Sequence, residues 1–109
     1  MESEKKFAIN TSKGMYFFSP TEILRLEASS NYTYLYFTDH SKLLVSKVLK
    51  DFVPILTPFG FLRTHRTHLV NRQYIVCVTA NGNIKMKDNS VAEISRRMKR
   101  EVMQTLKGA

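Results

Sequence analysis

Short apolar/polar alternation, broken at regular intervals by turn residues, is the feature that most constrains this chain. Side chains that alternate with period two lie on opposite faces of a strand, so such runs fold as half-buried strands rather than helices. Phe7 and Ile9, then Met15 and Phe17, alternate with polar or small neighbours around Ser12-Lys13-Gly14, which predicts a first hairpin. In EILRLEA, Ile23 falls on one side with Arg25 and Glu27, and Leu24, Leu26 and Ala28 fall on the other. YTYLYFT follows the turn-like SSN, and TDHS leads into KLLVS. A further strand is expected from Phe61 to Thr64, and YIVCVT faces IKMKD across Ala80-Asn81-Gly82-Asn83, whose Asn-Gly pair is a strong hairpin signal.

Two short helices interrupt the strands. The first is expected after Ser46, an N-cap residue type, with Val48, Leu49, Phe52, Val53 and Leu56 on its apolar face. Pro54 removes a helical hydrogen bond, so this helix must be short or kinked. The second runs from about Arg96 to Leu106, capped by Ser95, with Met98, Val102 and Leu106 inward. The fold class is therefore mainly β, an antiparallel arrangement with two short helices, in one domain spanning residues 1–109 with its core at about 7–106.

Composition narrows the function. A chain of 109 residues has no apolar run approaching the ~20 residues of a membrane helix, and MESEKKFAIN lacks the apolar centre of a secretion signal, which predicts a cytoplasmic protein. The single cysteine, Cys77, has no disulfide partner and is expected as a small buried hydrophobe. The net charge of +8 is segregated: residues 1–39 hold four basic and five acidic residues, residues 40–109 thirteen basic and four acidic. A lopsided positive field attracts nucleic acid or an anionic membrane surface.

The basic half centres on FGFLRTHRTHLVNRQYI, which holds Arg63, Arg66, Arg72, His65 and His68 and no carboxylate. HRTH invites a metal reading, but no cysteine or carboxylate stands at ligand spacing and the flanking arginines repel a dication. Catalysis lacks an obvious paired nucleophile and base or carboxylate pair, and the isolated glycines form no phosphate loop. Neither metal, cofactor nor enzyme is expected. Tyr32, Tyr34 and Tyr36 could stack bases as an RNA-binding sheet does, although a half-buried strand face accounts for them more readily. Leu35 and Phe37, with Thr33, would then point to the core. Arg96, Arg97, Lys99 and Arg100 oppose the helix dipole where they are expected to open the last helix, a penalty that a nearby anion reverses. A solvated basic helix face remains the alternative for that set.

These residues resemble the LytTR DNA-binding domain of bacterial response regulators. The resemblance runs from about Phe7 to Leu106 and is most specific in F-x-R-x-H-R-[ST]-x-L-V-N, met by Phe61, Arg63, His65, Arg66, Thr67, Leu69, Val70 and Asn71, with Ser95-Arg96-Arg97 in support. It implies an elongated, mainly antiparallel fold whose loops enter successive major grooves of bent double-stranded DNA. It places base contacts at Asn31, Thr33, Tyr34, Arg66 and Arg97, and phosphate contacts at Arg63, Arg96, Lys99 and Arg100. It further implies two copies on direct repeats, and a receiver domain upstream in a longer regulator. His65 and Asn71 are expected to scaffold the loop that presents Arg66. His68 replaces a position often aromatic in the family, and its role stays open between packing and contact. The function expected is transcriptional control by sequence-specific DNA binding, with an RNA-binding or anionic-membrane-surface module as the alternative.

Overall fold

The computed structural model describes residues 6–108; residues 1–5, the start of the stretch read above as lacking a secretion signal, and Ala109 lie outside them. The described elements run β1 (Phe7–Thr11), β2 (Gly14–Phe18), β3 (Ile23–Ser29), β4 (Tyr32–Phe37), β5 (Lys42–Val45), α1 (Leu49–Leu56), β6 (Phe61–His65), β7 (His68–Asn71), β8 (Ile75–Val78), β9 (Ile84–Met86), β10 (Val91–Ala92) and α2 (Lys99–Lys107). They form three sheets, β1-β2, β5-β4-β3-β7-β6 and β10-β9-β8. Every pairing is antiparallel. The mainly β class with two short helices is what the chain adopts.

The five-stranded sheet is the spine, and each face has its own core. On one face Leu26 stands opposite Leu35 and Leu69. Ile9, Val45 and the buried stripe of α1 (Leu49, Phe52, Leu56) cover them. Spacings of three and four give α1 that stripe, and burying a side chain such as Phe52 contributes about 1.5–3 kcal/mol. On the other face, Val70 and Leu62 meet Ile84, Met86 and Ala92 of the three-stranded sheet and Val102, Met98 and Leu106 of α2. Arg25 pins that second layer. Its Nη1 donates to Glu27 Oε1 at 2.7 Å, its Nε to Ser90 Oγ at 2.9 Å, and its guanidinium carbon lies 4.0 Å from the Tyr36 ring centroid.

Several sequence expectations need correction. The turn at Ser12-Lys13 sets Ile9 opposite Tyr16 and Phe7 opposite Phe18. Tyr16 and Phe18 are therefore the partly buried residues of β2, while Met15 and Phe17 are 55% and 60% exposed. A bulge between Ile23 and Arg25 moves Ile23 onto the Leu26 face. Cys77 is exposed, not buried: it pairs with Lys85, which in turn faces Val91, on the outward side of a sheet buried on one face only. α1 starts at Leu49 and α2 at Lys99, later than the caps at Ser46 and Ser95 indicate. Among the described residues no helix is long and apolar enough to cross a membrane.

Candidate nucleic-acid interface

Three exposed tips gather at one end of the spine sheet. In the β6–β7 hairpin His65 pairs with His68, which leaves Arg66 and Thr67 as a two-residue turn with Arg66 exposed. In the β3–β4 hairpin Ser29 pairs with Tyr32, which leaves Ser30 and Asn31, both exposed, and Ser30 takes the left-handed conformation at φ 57°. Glu27 pairs with Tyr34 on one side and His68 on the other, so both turns leave the same end. The Ala28 N–H donates to the Thr67 carbonyl at 2.9 Å and holds the Arg66 turn against β3.

The third tip follows β10. The Ser95 N–H donates to the Thr64 carbonyl at 2.8 Å, and the Thr64 hydroxyl donates to the Glu93 carbonyl at 2.8 Å. The Met98 N–H then donates to Ser95 Oγ at 3.1 Å, closing a turn that carries Arg96 and Arg97 before α2 begins. These two arginines stand in that turn, not in the helix. His65, Arg66, Ser95, Arg97 and Met98 line one cleft of ≈ 260 Å³. Arg66, Arg96, Arg97, Lys99 and Arg100 are all exposed, and none forms an ion pair among the described residues. Two unneutralised arginines on one cleft, Arg66 and Arg97, suit a polyanion.

Local chemistry shapes the Arg66 turn. His65 Nδ1 accepts the Thr67 N–H at 3.1 Å and lies 2.7 Å from Thr67 Oγ1. A backbone N–H can only donate, so in this arrangement His65 Nδ1 is the unprotonated ring nitrogen. Arg63, expected at a phosphate, donates from Nη2 to the Arg66 carbonyl at 2.7 Å and from Nε to the His65 carbonyl at 3.3 Å. Asn71 is buried: its Nδ2 donates to the carbonyls of Ile23 (3.0 Å) and Pro20 (3.3 Å), and its Oδ1 accepts the Gln73 N–H at 3.1 Å. Arg72 turns away from the tips and donates to the Thr105 carbonyl at 2.9 Å, near the C-terminus of α2 where the dipole favours a cation.

The segment after Asn31 divides. Thr33 was expected at a base, but its side chain is fully buried and its hydroxyl donates to the Lys47 carbonyl at 2.6 Å, so it cannot enter a groove. Tyr34 sits on the opposite face, half-buried, with its ring centroid 6.0 Å from that of Tyr36 and Lys42 Nζ 5.1 Å above it. With Arg25 over Tyr36 and Lys42 over Tyr34, two rings of the tyrosine ladder already carry cations. Free stacking platforms for single-stranded RNA are thereby reduced. The Thr33 bond also holds the backbone of exposed Lys47 at this end of the sheet, with its Nζ 5.7 Å from the Phe52 ring centroid, a cation that sequence reasoning missed. The available signal was the pair of lysines, Lys47 and Lys50, beside the expected cap at Ser46.

His68 packs. It is 7% exposed, its Nδ1 has no hydrogen-bond partner among the described residues, and its Nε2 stands 3.9 Å from Glu93 Oε1. Burial pushes its pKa below the ordinary 6.5; Glu27 and Glu93 oppose that shift and Arg25 and His65 reinforce it. The His65 and His68 ring centroids are 5.7 Å apart. Among the described residues no three His, Cys, Asp or Glu side chains group as a metal site.

No curated protein sequence matches this chain. Among solved structures it is similar to the LytTr DNA-binding domain ascribed to a methyl-accepting/DNA response regulator from Bacillus cereus, with a TM-score of 0.77 and 19% identity over 98% of this chain and 100% of that one. At that identity the likeness establishes the fold. The family description "LytTr DNA-binding domain" matches residues 13–107, nearly the whole length over which the strands and tips described above are laid out. The chain belongs to the LytTR family of DNA-binding domains.

Proposed function

We propose that this DNA-binding domain reads a specific double-stranded sequence and controls transcription, with its loops inserted into successive major grooves. The observation that carries this reading is the projection of Asn31, Arg66 and Arg97 from one end of the sheet, each exposed and each on a short turn. Arginine reads guanine bidentately, and asparagine reads adenine. Arg96, Lys99 and Arg100 neutralise flanking phosphates, and Lys47 joins them from the segment just before α1. Tyr34 borders the Asn31 turn without reaching its tip. Two copies bind direct repeats, with a receiver domain upstream in a longer cytoplasmic regulator supplying the signal. No residue here is assigned a catalytic role.

The test pairs a duplex selected from a random library with an unselected one. Arg66→Ala should cost about 1–3 kcal/mol on the selected site and relax the preference at the base pair it reads. Equal loss on both duplexes demotes Arg66 to a phosphate contact. Affinity should fall with salt by about −0.9 in log–log slope for each neutralised phosphate, and a flat response sinks the electrostatic part of the proposal.

A further inference from the structure

We infer that Thr64 is a positioning residue, which fixes the Arg66 turn and the Arg97 turn as one reading unit of set spacing. This rests on the proposed reading of bases by Arg66 and Arg97. In β6, Arg63 pairs with Leu69 and His65 with His68, so Thr64 is an extra residue on its strand, a bulge. A bulged residue is freed from the ladder, and Thr64 spends that freedom outward. Its carbonyl takes the Ser95 N–H and its hydroxyl gives to the Glu93 carbonyl, both at 2.8 Å.

Thr64 is fully buried, so water cannot replace either bond. Arg66 stands two residues beyond Thr64, and Arg97 two residues beyond Ser95. Each arm spans at most about 7 Å of chain, which leaves little slack between the Cα positions from which the two arginines project. Both arms are stiffened locally. Arg63 holds the first through the His65 and Arg66 carbonyls, and Ser95 Oγ holds the second through the Met98 N–H. Behind them Leu62, Met98 and Val102 share one core, so the strand and the helix cannot slide separately.

Two measurements test this. Library selection with the wild-type domain, Arg66→Ala and Arg97→Ala assigns the base pairs each arginine reads. One base pair is then inserted between them. A fixed unit should lose at least about tenfold in affinity on the inserted duplex, the scale of a mismatched site; undiminished binding overturns the inference. In parallel, Thr64→Val should lower affinity for the selected duplex about tenfold while leaving unselected DNA and the salt slope unchanged, and Thr64→Ser should restore it. Equal loss on both duplexes, no loss on either, or failure of serine to rescue overturns it. Should Thr64→Val not fold, as read by thermal melting, the spacing measurement on the wild-type domain decides alone. If the wild-type domain selects no motif, the proposed sequence reading falls and this inference with it. A motif that tolerates altered spacing overturns the inference alone.

Discussion

Arg63 offers the sharpest separation between two ways a basic residue can serve DNA binding. As a phosphate contact it would be a positive charge at the end of a flexible stem. The structure shows it instead as a fork that donates to two carbonyls of the Arg66 turn, at 2.7 and 3.3 Å. Lysine can replace the first role and not the second, because an ammonium has no planar pair of donors. Hydrogen bonds from charged groups contribute about 1.5–3 kcal/mol each when well formed, but here one is long and the other reaches an exposed carbonyl, so roughly 1 kcal/mol for the pair is the reasonable scale. For a domain of this size that corresponds to a Tm drop of about 4–8 °C. The turn must then be reordered on binding, which weakens affinity for a selected duplex by about tenfold, or ~1.4 kcal/mol.

Arg63→Lys and Arg63→Met should therefore behave alike, each losing about tenfold on selected DNA, with the log–log salt slope unchanged within error in both. Fluorescence-anisotropy titrations at four or five salt concentrations, with thermal melts of the free domain, supply the readouts. A phosphate contact gives the opposite pattern: Arg63→Lys near wild type, and Arg63→Met with a slope shallower by about 0.9. That pattern would refute the clamp.

Two predictions concern the frame. Asn71→Ala strips partners from the carbonyls of Pro20 and Ile23 and from the Gln73 N–H in a buried setting, and should cost about 2–3 kcal/mol, read as a lower urea midpoint at unchanged m-value. His68, whose folded pKa lies below 6.5, refuses a proton that the unfolded chain accepts, so stability should hold above pH 6.5 and decline as pH falls from there toward the folded value. His68→Phe should flatten that decline in urea melts taken across the range; an unchanged pH profile would show that another group causes it.

The hairpins were legible because their signals are local. Asn81-Gly82 closes the hairpin through a three-residue loop: the Gly82 N–H donates to the Thr79 carbonyl, Gly82 takes the left-handed conformation at φ 82°, and the Thr79 N–H donates to the Asn83 carbonyl. The bulges were not. Those in β3, β6 and β8 each add one residue and reverse which side chains face inward beyond them. Nothing in the identity of Leu24, Thr64 or Val76 announces this, since a bulge is chosen by what packs on either side. Thr33 drew two incompatible readings, a contact from its nearness to Asn31 and a core position from its alternation with Leu35 and Phe37. Alternation prevailed because the Lys47 carbonyl satisfies the hydroxyl in the interior. Arg63 and Arg66 look equivalent in sequence, and only the register sends one to the turn's tip and the other back along its strand. Ser95 was recognisable as a cap, yet its turn ends at Met98, which takes Arg96 and Arg97 out of α2.

That last displacement bears on how the domain presents charge. Cations in the first turn of a helix are disfavoured by its dipole, so four among the five residues from Arg96 to Arg100 would strain an isolated α2 opening at Arg96. With the helix beginning at Lys99, only Lys99 and Arg100 stand in its first turn, and Glu101 there offsets them in part. Arg96 and Arg97 are released into a turn held by Ser95 and tied to Thr64, where orientation is set by hydrogen bonds rather than by helical phase. The two hairpin tips, Ser30-Asn31 and Arg66-Thr67, extend only two residues beyond their last ladder pair, and ordering a residue of free backbone costs about 1–2 kcal/mol. Short tips on a packed sheet have already lost most of that freedom on folding. Their contacts with a duplex can then appear as affinity and discrimination instead of being spent on ordering the loops.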